Sequence, residues 1–293
     1  MEIKNVIICG LGSLGVVYAN QLNEVCNLKI LADNDRINFY KKKPVSLNGK
    51  FLNLSYITPE SEFLADLIII TTKFNGLNSA ISYIKNFIKK DTIVLSLLNG
   101  ISSEDLIKNT YPDLVVPKAY YIGHSAIKKG ADVIHNGVGK IVFEQNKKLE
   151  LFFKKNNIDF EVSNDIIYAQ WVKLGVNIVL NELTTVFRCT VGELRSRNDY
   201  FQLSECIINE VKLIAKYHNV NRLENYTNDV YKLINLVADD GITSMYQDVL
   251  SNRKTEVDIF SGEILKLGKL YDVATPINLD LYNKIKLIEN DIM

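Results

Sequence analysis

Short, nearly continuous apolar runs at 6–9, 28–32, 67–71, 93–97, 115–120 and 140–143 alternate with amphipathic stretches through about residue 145. Runs without an apolar/polar alternation belong to strands buried on both faces, and intervening helical stretches supply crossovers between parallel neighbours. The pattern therefore predicts an α/β domain with an open, doubly wound sheet. Beyond Asn164 the texture changes: helical apolar spacing fills three or four long stretches, and Pro276 is the only proline in residues 165–293. An all-helical second domain follows. Polar interruptions at Asn156-Asn157 and Ser163-Asn164-Asp165 mark the junction, giving a sheet domain over 1–164 and a helical domain over 165–293.

Composition narrows the possibilities. The chain has 293 residues, 47% hydrophobic and 23% charged, enough for two cores at roughly 150 residues per domain. Lys plus Arg number 34 and Asp plus Glu number 34, so the charge surplus that binds a phosphate backbone is missing and nucleic acid is not an expected partner. The longest apolar stretches fall far short of the roughly 20 residues that span a bilayer, and the N-terminal segment lacks the features of a secretory signal. No membrane partner and a cytoplasmic location are expected. Cys9, Cys26, Cys189 and Cys206 are scattered without C-x-x-C or His at ligand spacing, which reads as reduced thiols and no metal site.

Gly10, Leu11, Gly12, Ser13, Leu14 and Gly15 form G-x-G-x-x-G between the first predicted strand and a predicted helix. In that context the first glycine permits the turn, the second lets backbone approach a pyrophosphate, and the third allows close helix packing. Dinucleotide binding is the expected chemistry. Asp33, about 20 residues on, ends the second strand, where a carboxylate accepts from ribose hydroxyls of NAD and repels a 2′-phosphate. Two alternatives stand beside it: Asp33 as the N-cap of a helix starting at Asn34 or Asp35, and Arg36, the one nearby cation in sequence, meeting a 2′-phosphate. Lys73 and Asn99 follow the third and fourth predicted strands, where open α/β sheets place ligands, although either serves equally as a turn residue.

Within a mostly apolar predicted helix over 166–183, Lys173, Asn177 and Asn181 stand at i, i+4 and i+8. They share one face, drifting only about 80° over roughly 12 Å. Apolar neighbours surround that column, and an amide or ammonium buried unpaired costs on the order of 1–3 kcal/mol or more, so a ligand is expected to satisfy it. A solvated stripe is the alternative. An ammonium in a cleft donates a proton while stabilising a developing alkoxide, as carbonyl reduction requires.

The ordered set of Gly10 to Gly15, Lys73, Asn99-Gly100, Trp171-x-Lys173-Leu174 with Asn177 and Asn181, Ser244-Met245-x-Gln247-Asp248 and Thr255-Glu256-Val257-Asp258 resembles the ketopantoate reductase (2-dehydropantoate 2-reductase) family. The resemblance implies a Rossmann domain joined to a helical domain like those of the 6-phosphogluconate dehydrogenase superfamily, with the active site in the cleft between. It implies reduction of ketopantoate to pantoate, in pantothenate biosynthesis, by hydride from NAD(P)H. Lys173 is then the general acid. Asn177, Asn181, Ser244 and Asn99 match substrate-binding positions; Lys73, Asn99 and Ala126 match residues lining the cofactor; and Glu256 matches a catalytic acidic residue near the nicotinamide. Asp33, Gly241 and Val191 depart from the family pattern, the first favouring NADH against the family's habit of NADPH.

Two other readings are set beside this one: an NADH-dependent reductase of other branched 2-keto acids, of the D-2-hydroxy acid dehydrogenase type, and a dinucleotide-binding redox sensor without turnover. A sensor has no use for an ammonium aligned with two amides. Apolar helices in the second domain also make a homodimer an expectation. Were Ser244 and Glu256 on one continuous helix, they would lie about 18 Å apart, too far to grip one small acid.

Overall fold

The structure, a computed structural model, describes residues 2–123, 126–137 and 139–292. The chain divides into two compact units, Met1–Ile166 and Ile167–Met293.

The first unit contains strands β1 (Asn5–Cys9), β2 (Asn27–Leu31), β3 (Ser46–Leu47), β4 (Lys50–Phe51), β5 (Tyr56–Ile57), β6 (Leu67–Ile70), β7 (Ile93–Ser96), β8 (Ala119–Ile122), β9 (Ala126–Lys129), β10 (Asp132–His135), β11 (Lys140–Glu144) and β12 (Phe160–Ser163). Helices α1 (Ser13–Leu22), α2 (Asn34–Lys42), α3 (Leu77–Tyr83), α4 (Ser103–Thr110) and α5 (Lys147–Lys155) connect them. The main sheet has the order β5-β2-β1-β6-β7, and every pair in it is parallel. Chain order reverses at β1, the switch point at which such sheets bind ligands beyond their strand C-termini.

The continuous apolar runs have a simple cause. Val6 and Ile8 of β1 join one buried cluster with Leu28, Ile30, Leu67 and Ile69, whereas Ile7 and Cys9 join another with Leu31, Ile68 and Ile70. Successive side chains point to opposite faces, and both faces are covered, so neither set is polar.

The last two predicted strands do not extend this sheet. Val115 makes only a bridge to Ile93, because Pro117 lacks the N–H that continues a ladder. The strand begins instead at Ala119, and β8 pairs antiparallel with β11, which pairs parallel with β12. A further small sheet, β4-β3-β10-β9, contains a hairpin turning at Gly130 (φ 64°).

The second unit is helical: α6 (Ile166–Asn177) runs into a π-helical turn at Ile178–Glu182 and then α7 (Leu183–Phe187), followed by α8 (Val191–Arg195), α9 (Tyr200–Tyr217), α10 (Tyr226–Ile234), α11 (Ser244–Leu250), α12 (Ser261–Tyr271) and α13 (Pro276–Ile292). Its centre holds Trp171, Ile178, Val211, Tyr226, Ile264 and Ile285, all essentially inaccessible. Among the described residues no helix is long and apolar enough to cross a membrane.

Candidate active site

The glycine-rich turn sits between β1 and α1, and its three glycines have different causes. A side chain at Gly10, where φ is 105°, would place its Cβ 2.8 Å from the Thr72 nitrogen, and one at Gly15 would lie 2.1 Å from the Gly10 carbonyl oxygen. The fold alone demands these two. Gly12 has an ordinary extended backbone (φ −69°), and a Cβ there would meet only the Thr71 oxygen at 3.4 Å, an ordinary contact. Its missing side chain has no cause within the turn's own packing, and it is the glycine over which a phosphate approaches in this motif. Gly12 also begins α1 without a side-chain cap, and no acidic residue occupies the first turn. The first-turn amides thus carry the partial positive charge that favours an anion.

Surrounding groups reinforce the cradle. Thr71 Oγ1 donates to the Gly10 carbonyl at 2.6 Å, while the buried Thr72 Oγ1 has no hydrogen-bond partner among the described residues. Leu11 and Leu14 are buried in the core beneath, so what they offer a ligand is backbone; Ser13 is half-buried. These residues fit a dinucleotide pyrophosphate.

Asp33 follows β2, and its Oδ1 accepts from the Arg36 amide at 2.7 Å, capping α2. The capping role is real, and it occupies one carboxylate oxygen. Lys73 is exposed shortly after β6, and Asn99 is half-buried shortly after β7, beside Gly100 (φ 87°). Because β1, β2, β6 and β7 are parallel, the glycine turn, Asp33, Lys73 and Asn99 all lie at the C-terminal edge of one sheet. Ala126, half-buried, opens β9 opposite His135. Two residues further on is Lys128, whose ammonium bonds the Leu11 carbonyl. No motif marks it, and the alternation Ala126 to His135 around Gly130 was the only sequence signal for the hairpin that carries it.

In the helical unit the polar column survives a change of helix type. Between Asn177 and Asn181 the backbone widens into the π-turn, a feature common at functional sites, and Asn181 Nδ2 donates to Asn177 Oδ1 at 3.2 Å. Ser244 Oγ reaches Asn181 Oδ1 at 3.3 Å. Its placement comes from Thr243, which caps α11 and whose hydroxyl lies 2.7 Å from that of Thr184 in α7. Asn177 Nδ2 is buried with no hydrogen-bond partner among the described residues. A donor left open in this way costs about 1–3 kcal/mol, which a ligand acceptor would recover.

Lys173 keeps some accessible surface, yet its ammonium lies deep enough that burial pushes its pKa down to about 8, against the opposing attraction of Glu256. Glu256 does not share a helix with Ser244. The helix α11 ends at Leu250, Asn252 turns the chain at φ 51°, and Glu256 precedes a short 3-10 turn at Val257–Ile259. The preceding Thr255 is fixed by Glu289, which accepts from its amide at 2.7 Å and its hydroxyl at 2.6 Å. Arg253 pairs with Asp248 at 2.9 Å. The helical unit thus brings Lys173, Asn177, Asn181 and Ser244 together, with Glu256 in electrostatic reach of the lysine.

Beside Asn181, Glu182 is fully buried and accepts from the Ser261 amide at 2.9 Å. Burial pushes its carboxyl up to about 8. A folded-state pKa above the unfolded one means that the native state holds the extra proton, so stability falls as pH rises. The contribution is complete below about pH 4.5 and gone above about 8. Thermal melts of the wild type are expected to lose stability across that window by up to about 1.4 kcal/mol per pH unit, and Glu182→Gln should flatten the slope. Parallel melting curves for the two proteins would contradict the assignment.

Residues 6–148 match the family described as ketopantoate reductase PanE/ApbA, and residues 165–289 match the C-terminal domain of the same family. The chain belongs to the ketopantoate reductase family. A family relative, the 2-dehydropantoate 2-reductase of Streptococcus pyogenes serotype M18, is 27% identical over 286 residues, covering 92% of this chain and 93% of its own. Among solved structures, D-mandelate dehydrogenase in complex with NADH superposes with a TM-score of 0.86 at 25% identity, covering 98% of this chain and 99% of that one. A PanE/ApbA family ketopantoate reductase from Ralstonia eutropha gives 0.85 at 21% identity, with 98% and 99% coverage.

Proposed function

We propose that this protein reduces 2-dehydropantoate to pantoate with a nicotinamide dinucleotide as hydride donor. The observation that carries the reading is the Lys173 ammonium, pushed down to about 8 by burial, on the face that also presents the unpartnered Asn177 amide. When bound, the reduced nicotinamide supplies the hydride that arrives at C2 of the keto acid.

The chain's own residues do the rest. Lys173 donates a proton to the C2 oxygen, so that ketone becomes hydroxyl and the neutral amine recovers its proton from water. A pKa near the working pH makes the ammonium both populated and a competent donor. Asn177 Nδ2 donates to a substrate oxygen, and Asn181 and Ser244, already joined to each other, orient the remaining hydroxyl or carboxylate. Glu256 favours the charged lysine that burial alone would discharge, and we place it on the nicotinamide side of the reacting carbon. Lys73, Asn99 and Ala126 are proposed to line the cofactor's path in the sheet unit.

The test is nicotinamide oxidation with ketopantoate set against phenylglyoxylate, the keto acid corresponding to mandelate, and against other branched 2-keto acids. Ketopantoate is expected to give the highest kcat/KM. A higher value for any of the others would overturn the substrate assignment.

Asp33 carries the cofactor preference. Its carboxylate, placed after β2, accepts from a ribose diol and repels a 2′-phosphate, while one exposed guanidinium at Arg36 offsets a surface charge by about 1 kcal/mol or less. We expect kcat/KM to favour NADH and Asp33→Arg to move the ratio toward NADPH. A wild-type preference for NADPH of about tenfold, which is about 1.4 kcal/mol, would refute this.

A further inference from the structure

Lys128 has no assigned role, and its surroundings are unusual for a lysine. The β9–β10 hairpin carries it over the glycine turn, where Nζ donates to the carbonyl of Leu11, the residue between the first two motif glycines. Its ammonium also lies 5.9 Å from the centre of the Tyr40 ring in α2. Burial pushes its pKa down to about 8, and the positive charge of Arg36 adds to that shift. Among the described residues no carboxylate forms an ion pair with it.

A half-buried cation beside a second cation, with no counter-ion among the described residues, is a costly arrangement. A backbone carbonyl supplies a hydrogen-bond acceptor but no net negative charge. The nearest ready explanation is an anion that arrives from outside, and the structure marks where: Gly12 leaves open the uncapped N-terminus of α1, one residue from the carbonyl that holds Lys128.

We propose that Lys128 is a phosphate-binding residue of the dinucleotide site. Its ammonium, pre-positioned on the glycine turn, contacts an anionic phosphate oxygen of the cofactor, with Arg36 contributing to the same positive field. The inference rests on the nicotinamide-cofactor reading above. Two phosphates share this chemistry: the pyrophosphate present in both NADH and NADPH, and the 2′-phosphate present only in NADPH.

Equilibrium titration of the full-length protein with NADH and with NADPH, followed by nicotinamide fluorescence without keto acid, tests the proposal. Lys128→Met is expected to raise Kd about tenfold, as loss of a charge-assisted hydrogen bond does, and Lys128→Arg to restore most of the affinity. The wild-type Kd should also rise more steeply with salt than that of Lys128→Met. A loss shared by both cofactors identifies the pyrophosphate as the partner, and a loss confined to NADPH identifies the 2′-phosphate. The cofactor-free melting temperature of Lys128→Met should be no lower than that of the wild type, since the substitution removes a charge that burial and Arg36 disfavour. Unchanged Kd for both cofactors, or a lowered melting temperature with unchanged Kd, would overturn the proposal and make Lys128 a strap on the hairpin. If the wild type binds neither cofactor, the underlying cofactor reading fails instead.

Discussion

Lys173→Ala is expected to lower kcat by about 100-fold or more, the low end for loss of a general acid, while leaving dinucleotide affinity unchanged. The variant should also be no less stable than the wild type at neutral pH. Burial drives the Lys173 pKa down to about 8, so the unfolded chain holds the proton more tightly than the native state. That difference destabilises the fold below about pH 8 and fades only as pH rises toward 10.5. Removing the ammonium therefore relieves a cost as it removes the proposed proton donor. Activity and stability should move in different directions, which separates a chemical role from a structural one. Near-normal kcat in Lys173→Ala would remove this lysine from the mechanism.

Gly15→Ala should produce the largest loss of stability. Its Cβ would fall 2.1 Å from the Gly10 carbonyl oxygen and 2.6 Å from Thr71 Oγ1, and the first of these is backbone in a turn that Thr71 also holds. Overpacking of this kind costs about 3 kcal/mol or more, a melting-temperature drop of roughly 6–12 °C for a domain of this size, or failure to fold. Gly12→Ala makes the opposite prediction. The chain has room for that methyl group, so stability should hold while affinity for NADH and NADPH falls together. Differential scanning of both variants, paired with cofactor titration, checks the contrast; equal melting temperatures would show that the two glycines do not differ as described.

The sheet unit was most legible where one physical cause acted alone. The apolar runs at β1, β2, β6 and β7 announced themselves because both faces are buried, and the glycine motif gained its meaning from the strand before it and the helix after it. The run at 115–120 misled for a local reason, since Pro117 is hidden among residues that otherwise read as strand. In the helical unit, i and i+4 spacing predicted one shared face for Asn177 and Asn181, and their side-chain amides meet at 3.2 Å. Periodicity did not reveal the π-turn between them, because it depends on which carbonyl each amide selects rather than on side-chain pattern. Glu182 and Lys128 were invisible for a related reason. A buried glutamate and a surface one look alike in sequence until Ser261, 79 positions away, is seen to donate to it at 2.9 Å, and Lys128 matters only because a hairpin folds it back 117 positions onto Leu11.

The pH dependence of kcat/KM for ketopantoate reduction tests the central claim most directly, because it reports the ionisation of the free enzyme's proton donor. Activity should be level below neutrality and fall about tenfold per pH unit above the Lys173 pKa of about 8. Glu256→Gln, which removes the attraction that keeps the ammonium charged, should move that limb to lower pH. A profile that stays level well above pH 8, or a limb that Glu256→Gln leaves in place, would contradict the assignment of Lys173 as the general acid.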